Sequence, residues 1–210
     1  MESDAQKRER VILVTAFEPF GGERHNATEA VLVKLPDRIG GARIEKQLLP
    51  VTFLGATVVA IGTAERLSPD AVVCLGQAAG RDALTPERIA VNLLDAKIPD
   101  NDGFQPRGVP IVRDGPAAYF STLPIREMTA AMLSESVPAR VSDDAGTFVC
   151  NSLFYSLRRW SSEHRPDLPC GLIHIPYLTG QDHPPDMPAV PGMTVLHGVI
   201  AALEVVTKFT

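Results

Sequence analysis

Short runs of aliphatic and β-branched residues alternate along this chain with segments of helical periodicity. That alternation restricts the fold more than any other feature. RVILVTAF at 10–17 is apolar almost without interruption, the mark of a strand covered on both faces rather than one. DAVVCLG at 70–76 and CGLIHIPYL at 170–178 have the same character, the second closed by Pro176, and ARIEKQLLPV at 42–51 reads as a further strand. Between them lie helical patterns. NATEAVLVKL opens with Asn26 and has Glu29 three residues on, a capping-box variant. GATVVAIGTAERL puts Val58, Ile61, Ala64 and Leu67 on one face. PIREMTAAMLSES starts with Pro124 in its first turn. CNSLFYSLRRW aligns Leu153, Leu157 and Trp160, and TVLHGVIAALEVVTKF aligns Leu196, Ile200 and Leu203. ERIAVNLL at 87–94 is predicted extended, and ARVSDDAGTFV at 139–149 is predicted as one or two short strands. The pattern predicts an α/β chain: a single-domain α/β/α sandwich with a mainly parallel twisted sheet and helices on both faces. No repeat or linker interrupts it. One domain is expected over 1–210, with the charged residues 1–9 as a flexible extension. In such sheets chemistry collects at the carboxyl ends of the strands.

At 45% hydrophobic, the 210 residues can bury a full core. The net charge is −5 and no Lys/Arg cluster stands out, which argues against nucleic-acid or anionic-membrane partners. The opening MESDAQKRER is charged and followed by a short apolar strand, so no signal peptide is expected, and no apolar run is predicted to span a bilayer. Cys74, Cys150 and Cys170 are too few for a disulfide framework, and no Cys-x-x-Cys anchors a zinc site. The expectation is a cytoplasmic chain with free thiols and no metal or cofactor.

GTFVCNSLFYSL at 146–157 sets Cys150 between an apolar stretch and a helix start. Unpaired N–H groups and the helix dipole favour thiolate there, and the same groups can hold an oxyanion. Free cysteine is also among the residues most often buried, so core filler and reagent both stand at this point. Of five histidines, His25, His164 and His183 lie in polar surroundings, and His197 falls on the last helix. His174 sits inside an apolar strand near its carboxyl end, where an imidazole needs partners. The ends of the two strands are expected at one rim, which suits a Cys–His pair. Glu87, between Pro86 and an extended segment, is the candidate to orient the imidazole.

Several stretches in order resemble the pyroglutamyl peptidase I (pyrrolidone-carboxylate peptidase) family of cysteine exopeptidases. They are ILVTAFEPFGG, LGQAAGR, TPERIAVN, AKIPDNDG, GTFVCNSLFY and IHIPYL. The resemblance covers nearly the whole chain. It implies a nucleophile at Cys150, a base at His174 and an orienting acid at Glu87. It implies removal of an N-terminal pyroglutamyl residue from peptides, an α/β/α sandwich and a cytoplasmic homotetramer. It assigns Phe17, Phe20, Gln77, Ile98, Phe148 and Val149 to the substrate pocket. Four residues depart from the family pattern: Ala16 and Ala79 stand for glycine, Lys97 for arginine, and Ser152 for a larger residue. Read without the resemblance, the same dyad also suits another thiol-dependent small-amide hydrolase or acyltransferase. TGQDHPPDMP at 179–188 is expected to be a loop near His174 that acts as lid or interface.

Overall fold

The computed structural model describes residues 8–210; residues 1–7 of the expected N-terminal extension lie outside them. The first strand, β1 (Val11–Phe17), leads through a loop to α1 (Ala27–Lys34), β2 (Arg38–Ile39) and β3 (Ala42–Leu49). The chain continues with α2 (Phe53–Leu67), β4 (Ala71–Gln77), β5 (Thr85–Pro86), β6 (Ile89–Val91) and β7 (Ala118–Phe120). It closes with α3 (Ile125–Ser134), α4 (Val149–His164), β8 (Cys170–Ile175), β9 (Tyr177–Leu178), β10 (Ala189–Val190) and α5 (Gly192–Phe209).

Six strands form the main sheet in the order β2-β3-β1-β4-β8-β5. The four inner strands run parallel, and the short edges β2 and β5 are antiparallel to their neighbours. Alternation along the strands sends side chains to two separate cores. Ile12, Val14, Val73, Leu75, Ile173 and Ile175 pack with α1, α3 and α5. Leu13, Phe17, Val72, Cys74, Cys170 and Leu172 pack with α2 and α4. Helices therefore cover both faces, as the uninterrupted apolar strands predict.

Several local expectations need correction. α2 begins at Phe53, two residues early, because Thr52 Oγ1 accepts the Gly55 N–H at 3.1 Å and Asp100 Oδ2 accepts the Phe53 N–H at 3.0 Å. Its buried face is Phe53, Ala56, Ala60, Thr63 and Ala64, while Val58 is 60% exposed. Small residues let α2 lie close to the sheet, a preference that a count of large apolar residues misreads. At α1, Asn26 Oδ1 accepts from Thr28 N at 2.9 Å, an Asx cap rather than the box drawn through Glu29. Residues 139–148 form no strand beyond isolated bridges at Ala139 and Ser142. Thr147 instead bonds Asp95 through both its carbonyl and its hydroxyl, so the approach to Cys150 is a loop tied to another loop. Of 87–94, only β6 is a strand, and it pairs with β7 away from the main sheet.

The last helix, α5, is 18 residues long with mean hydropathy 1.4 and would pass for a membrane span by length and composition. Its position explains the sequence otherwise. Val195, Leu196, Val199, Ala202, Leu203 and Val206 are buried in the core beside α1 and α3, whereas His197, Glu204 and Lys208 face outward.

Candidate active site

His174 and Gly76 are partners in the register of β8 and β4, one residue short of each strand's end. By the alternation that sends Cys170 and Leu172 toward α4, His174 points to the same layer. Gly76 lies on that face too, below the start of α4, where Cys150 is the second helical residue. A Cβ built on Gly76 would lie 2.9 Å from Cys150 Sγ, 3.0 Å from His174 Nε2 and 2.7 Å from His174 Cδ2. Sulfur and imidazole thus share the space that a side chain at 76 would fill.

Glu87 follows the edge strand β5 and is held against β8 by its own N–H, which donates to Leu172 O at 2.8 Å. Its carboxyl group is fully buried, and Oε1 lies 2.8 Å from His174 Nδ1. An ionised carboxylate only accepts, so opposite an ionised Glu87 the neutral ring carries its proton on Nδ1 and leaves Nε2 as the acceptor nitrogen. Acid and imidazole are thus in contact, and imidazole and thiol border the same space at Gly76, with Cys150 brought in by the helix start rather than by a neighbouring strand end.

Cys150 is half-buried. Desolvation pushes its thiol up to about 12, with Glu87's negative charge adding to the rise; its backbone N–H and Arg81 pull the other way. The backbone N–H at the helix start acts in the direction its position predicts, and burial outweighs it. His174 Nε2 borders the same space at Gly76 as the thiol. Phe148, the residue capping α4, offers no side-chain hydrogen bond, which leaves the first-turn N–H groups without a side-chain cap.

The expected pocket residues divide into two groups. Phe20 and Phe148 are half-buried with ring centroids 5.9 Å apart, and Ile98 is 42% exposed. Gly21 lies beside Ile98: a Cβ there would come within 3.4 Å of its Cδ1. Phe20 and Phe148 pack against the core on the α2/α4 side. Phe17 and Val149, by contrast, are each only 1% exposed and belong to that core itself. The Gln77 amide is taken up by the protein. Its Oε1 accepts from Ala27 N (2.7 Å) and Gln181 Nε2 (2.8 Å), and its Nε2 donates to Glu23 Oε2 (2.8 Å).

Other residues that the sequence did not single out hold the site together. Phe53 meets Phe148 edge-on at 5.4 Å and Phe104 at 5.8 Å, extending the aromatic wall. Asn151, fully buried, clamps the chain after β6: its amide donates to Val91 O and Leu93 O and accepts from Val91 N. Asp100 folds the long 95–116 loop by accepting from Asp102 N and Phe104 N. Asn101 ties that loop to Pro19 O, next to Phe20. Arg81 forms an ion pair with Glu87 at 2.9 Å. The adjacency of Asn151 to Cys150 and the place of Arg81 in LGQAAGR were the available signals. Tyr177, whose hydroxyl donates to Glu23 Oε1 at 2.5 Å, stacks on His183 and fastens the 179–188 loop near the rim.

Hollows of about 510 and 500 Å³ lie elsewhere, one lined by Asp70 and residues 164–169, the other by α1 and residues 178–181. Size does not single out the site; chemistry does. Among the described residues, no group of three or more His, Cys, Asp or Glu side chains gathers in a metal-binding arrangement. The departures at Ala16 and Ala79 fall where the backbone has no positive φ, so alanine fits both. Lys97 is exposed and Ser152 is buried in α4.

The sequence profile of pyroglutamyl peptidase matches residues 10–209. Pyrrolidone-carboxylate peptidase 1 of Caldanaerobacter subterraneus subsp. tengcongensis is 43% identical over 198 residues, covering 94% of this chain and 98% of the relative. Pyrrolidone-carboxylate peptidase of Streptococcus pyogenes serotype M12 is 45% identical over 199 residues, covering 94% and 93%. The crystal structure of pyroglutamyl peptidase I from Bacillus amyloliquefaciens superposes with a TM-score of 0.91 at 40% identity, covering 95% of this chain and 98% of that one. Sequence and fold agree with these proteins from the first strand to the last helix, and the chain belongs to the pyroglutamyl peptidase family.

Proposed function

We propose that this chain is a cysteine exopeptidase that hydrolyses the amide bond after an N-terminal pyroglutamyl residue of peptides, with Cys150, His174 and Glu87 as its triad. The observation that supports it most is the shared space at Gly76, where thiol and imidazole meet, with the buried Glu87 carboxylate behind Nδ1. Cys150 Sγ passes its proton to His174 Nε2 and attacks the pyroglutamyl carbonyl carbon. The imidazolium gives that proton to the leaving amine as the C–N bond breaks. His174 then takes a proton from water, whose oxygen displaces the thiolate from the acyl-enzyme. Glu87 holds the ring tautomer and balances the imidazolium charge. The uncapped first turn of α4, with the Cys150 N–H foremost, supplies oxyanion donors.

The ring of the substrate is a small uncharged lactam. Phe20, Phe148 and Ile98 form its apolar walls, with Phe17 and Val149 as the packed floor and Gln77 fixing the loop edge. A free α-ammonium entering there would lose hydration without a countercharge, so unblocked N-termini are rejected. The three thiols are unpaired, which fits a reducing, cytoplasmic setting. The assembly is a homotetramer of single-domain subunits, as the family resemblance implies. The test is release of a chromophore from pyroglutamyl anilide beside other acyl- and aminoacyl-anilides. Turnover confined to the pyroglutamyl compound supports the reading, and equal turnover of the others refutes its specificity.

A further inference from the structure

We propose that Arg81 is a positioning residue of this site: it is the fixed countercharge of Glu87 and thereby sets which nitrogen of His174 can take the thiol proton. The inference rests on the triad reading above and extends it by one residue.

Glu87 is fully buried, and its two oxygens are unequal. Oε1 lies 2.8 Å from His174 Nδ1 and forms an ion pair with Arg81 Nη2 at 2.9 Å, while Oε2 has no hydrogen-bond partner. A resting imidazole brings an N–H but no charge. Arg81 is thus the permanent positive charge in contact with a buried carboxylate, and arginine does not deprotonate. The groups of this kind facing Glu87 are Arg81 from the turn after β4, His174 from β8 and Cys150 from α4. Arg88 is engaged by Asp143.

The guanidinium is itself fixed. Its Nη1 donates to Thr85 Oγ1 at 2.7 Å, and the Thr85 hydroxyl lies 3.4 Å from His174 O. Nη2, the atom paired with Glu87, donates its hydrogen bond to Asp144 O at 2.8 Å, in the segment that leads to Cys150. Gly80, at φ +79°, makes the turn that points Arg81 back toward β5. One side chain therefore braces the acid, the histidine strand and the approach to the nucleophile.

The proton count shows why charge matters. With Glu87 ionised, Nδ1 holds the ring proton and Nε2 is free to accept from sulfur. With Glu87 neutral, its O–H donates to Nδ1, the ring proton moves to Nε2, and the thiol has no acceptor. Removing Arg81's charge from a buried carboxylate favours the neutral form.

The test is the pH dependence of kcat/KM for the full-length protein, its Arg81→Gln, Arg81→Lys and Glu87→Gln variants, and the double variant Arg81→Gln/Glu87→Gln. Folding of each is checked by thermal melting. Arg81→Gln is expected to move the acid limb upward by about one pH unit or more, with activity recovering as pH rises. Arg81→Lys keeps the limb in place and most of the rate. In the Glu87→Gln background, Arg81→Gln adds less than about a twofold loss, since both act through one carboxylate. An acid limb that stays put in Arg81→Gln with a uniform loss at every pH, or full additivity in the double variant, overturns the inference. If Arg81→Gln does not fold, Arg81→Lys decides: a moved acid limb overturns the inference and an unmoved one upholds it. A wild-type profile for Glu87→Gln defeats the triad reading itself, a result distinct from failure of Arg81 alone.

Discussion

A side chain at position 76 would have to occupy the space that Cys150 Sγ and the His174 ring now share. Gly76→Ala is expected to leave the fold intact but lower kcat by roughly 10²-fold or more, because an ångström of misplacement separates donor from acceptor. A variant with normal kcat and normal melting would show that the two groups need not meet there. The thiol itself gives a second prediction. Its raised position, at about 12, means that below that pH the isolated group is less ionised than an ordinary cysteine. In wild type, His174 absorbs the proton, so iodoacetamide should label Cys150 at a rate that levels off between about pH 7 and 9. In His174→Ala the rate should be far lower at neutral pH and still climbing above about pH 9. An ordinary thiol profile in that variant would contradict the assignment. At this scale the sequence was informative about reactive types: an imidazole in an apolar strand and a thiol at a helix start are visible in one dimension. Gly76 and Arg81 were not, because their importance lies in what other segments place beside them.

Elements supply the precision that residues need. α4 is fixed at its first turn by Asn151, whose amide is spent on Val91 and Leu93. Asn151→Ala leaves those backbone groups without side-chain partners, which is expected to cost about 1–3 kcal/mol of stability. It should also lower kcat more than it raises KM, since the residue holds the nucleophile's turn. An unchanged melting temperature and unchanged kcat would remove Asn151 from this role. The long 95–116 loop is ordered by Asp100 and Asn101. Which loop residues do such work was hidden, because hydrogen-bond partners in loops follow no period. For the same reason the approach to Cys150 was misread as a strand: its apolar residues serve an aromatic wall, not a ladder. The buried face of α2 was misread because alanines, not valines, mark close contact with the sheet.

The whole molecule follows from strands that cannot expose either face. Both cores were legible in β1, β4 and β8, whose residues are buried throughout, and the parallel order follows from helical crossovers between them. Register was not legible, yet it is register that sets Gly76 opposite His174. α5 shows how burial decides the meaning of an apolar helix. Leu203, fully buried, is expected to cost about 2–5 kcal/mol of stability when replaced by Ala. The activity of the folded fraction should remain, because the α1/α3/α5 core lies across the sheet from Cys150. A selective loss of activity at unchanged stability would mean that this layer reaches the site.

The central claim is that a thiol, an imidazole and a buried carboxylate act together on a pyroglutamyl amide. The most direct measurement is a single-turnover and steady-state assay of pyroglutamyl anilide with wild type and with Cys150→Ser. The account predicts a burst of one anilide per active site from wild type if deacylation limits, steady turnover thereafter, and a loss of at least about 10³-fold in Cys150→Ser. Wild-type turnover that survives in Cys150→Ser at a comparable rate would contradict it.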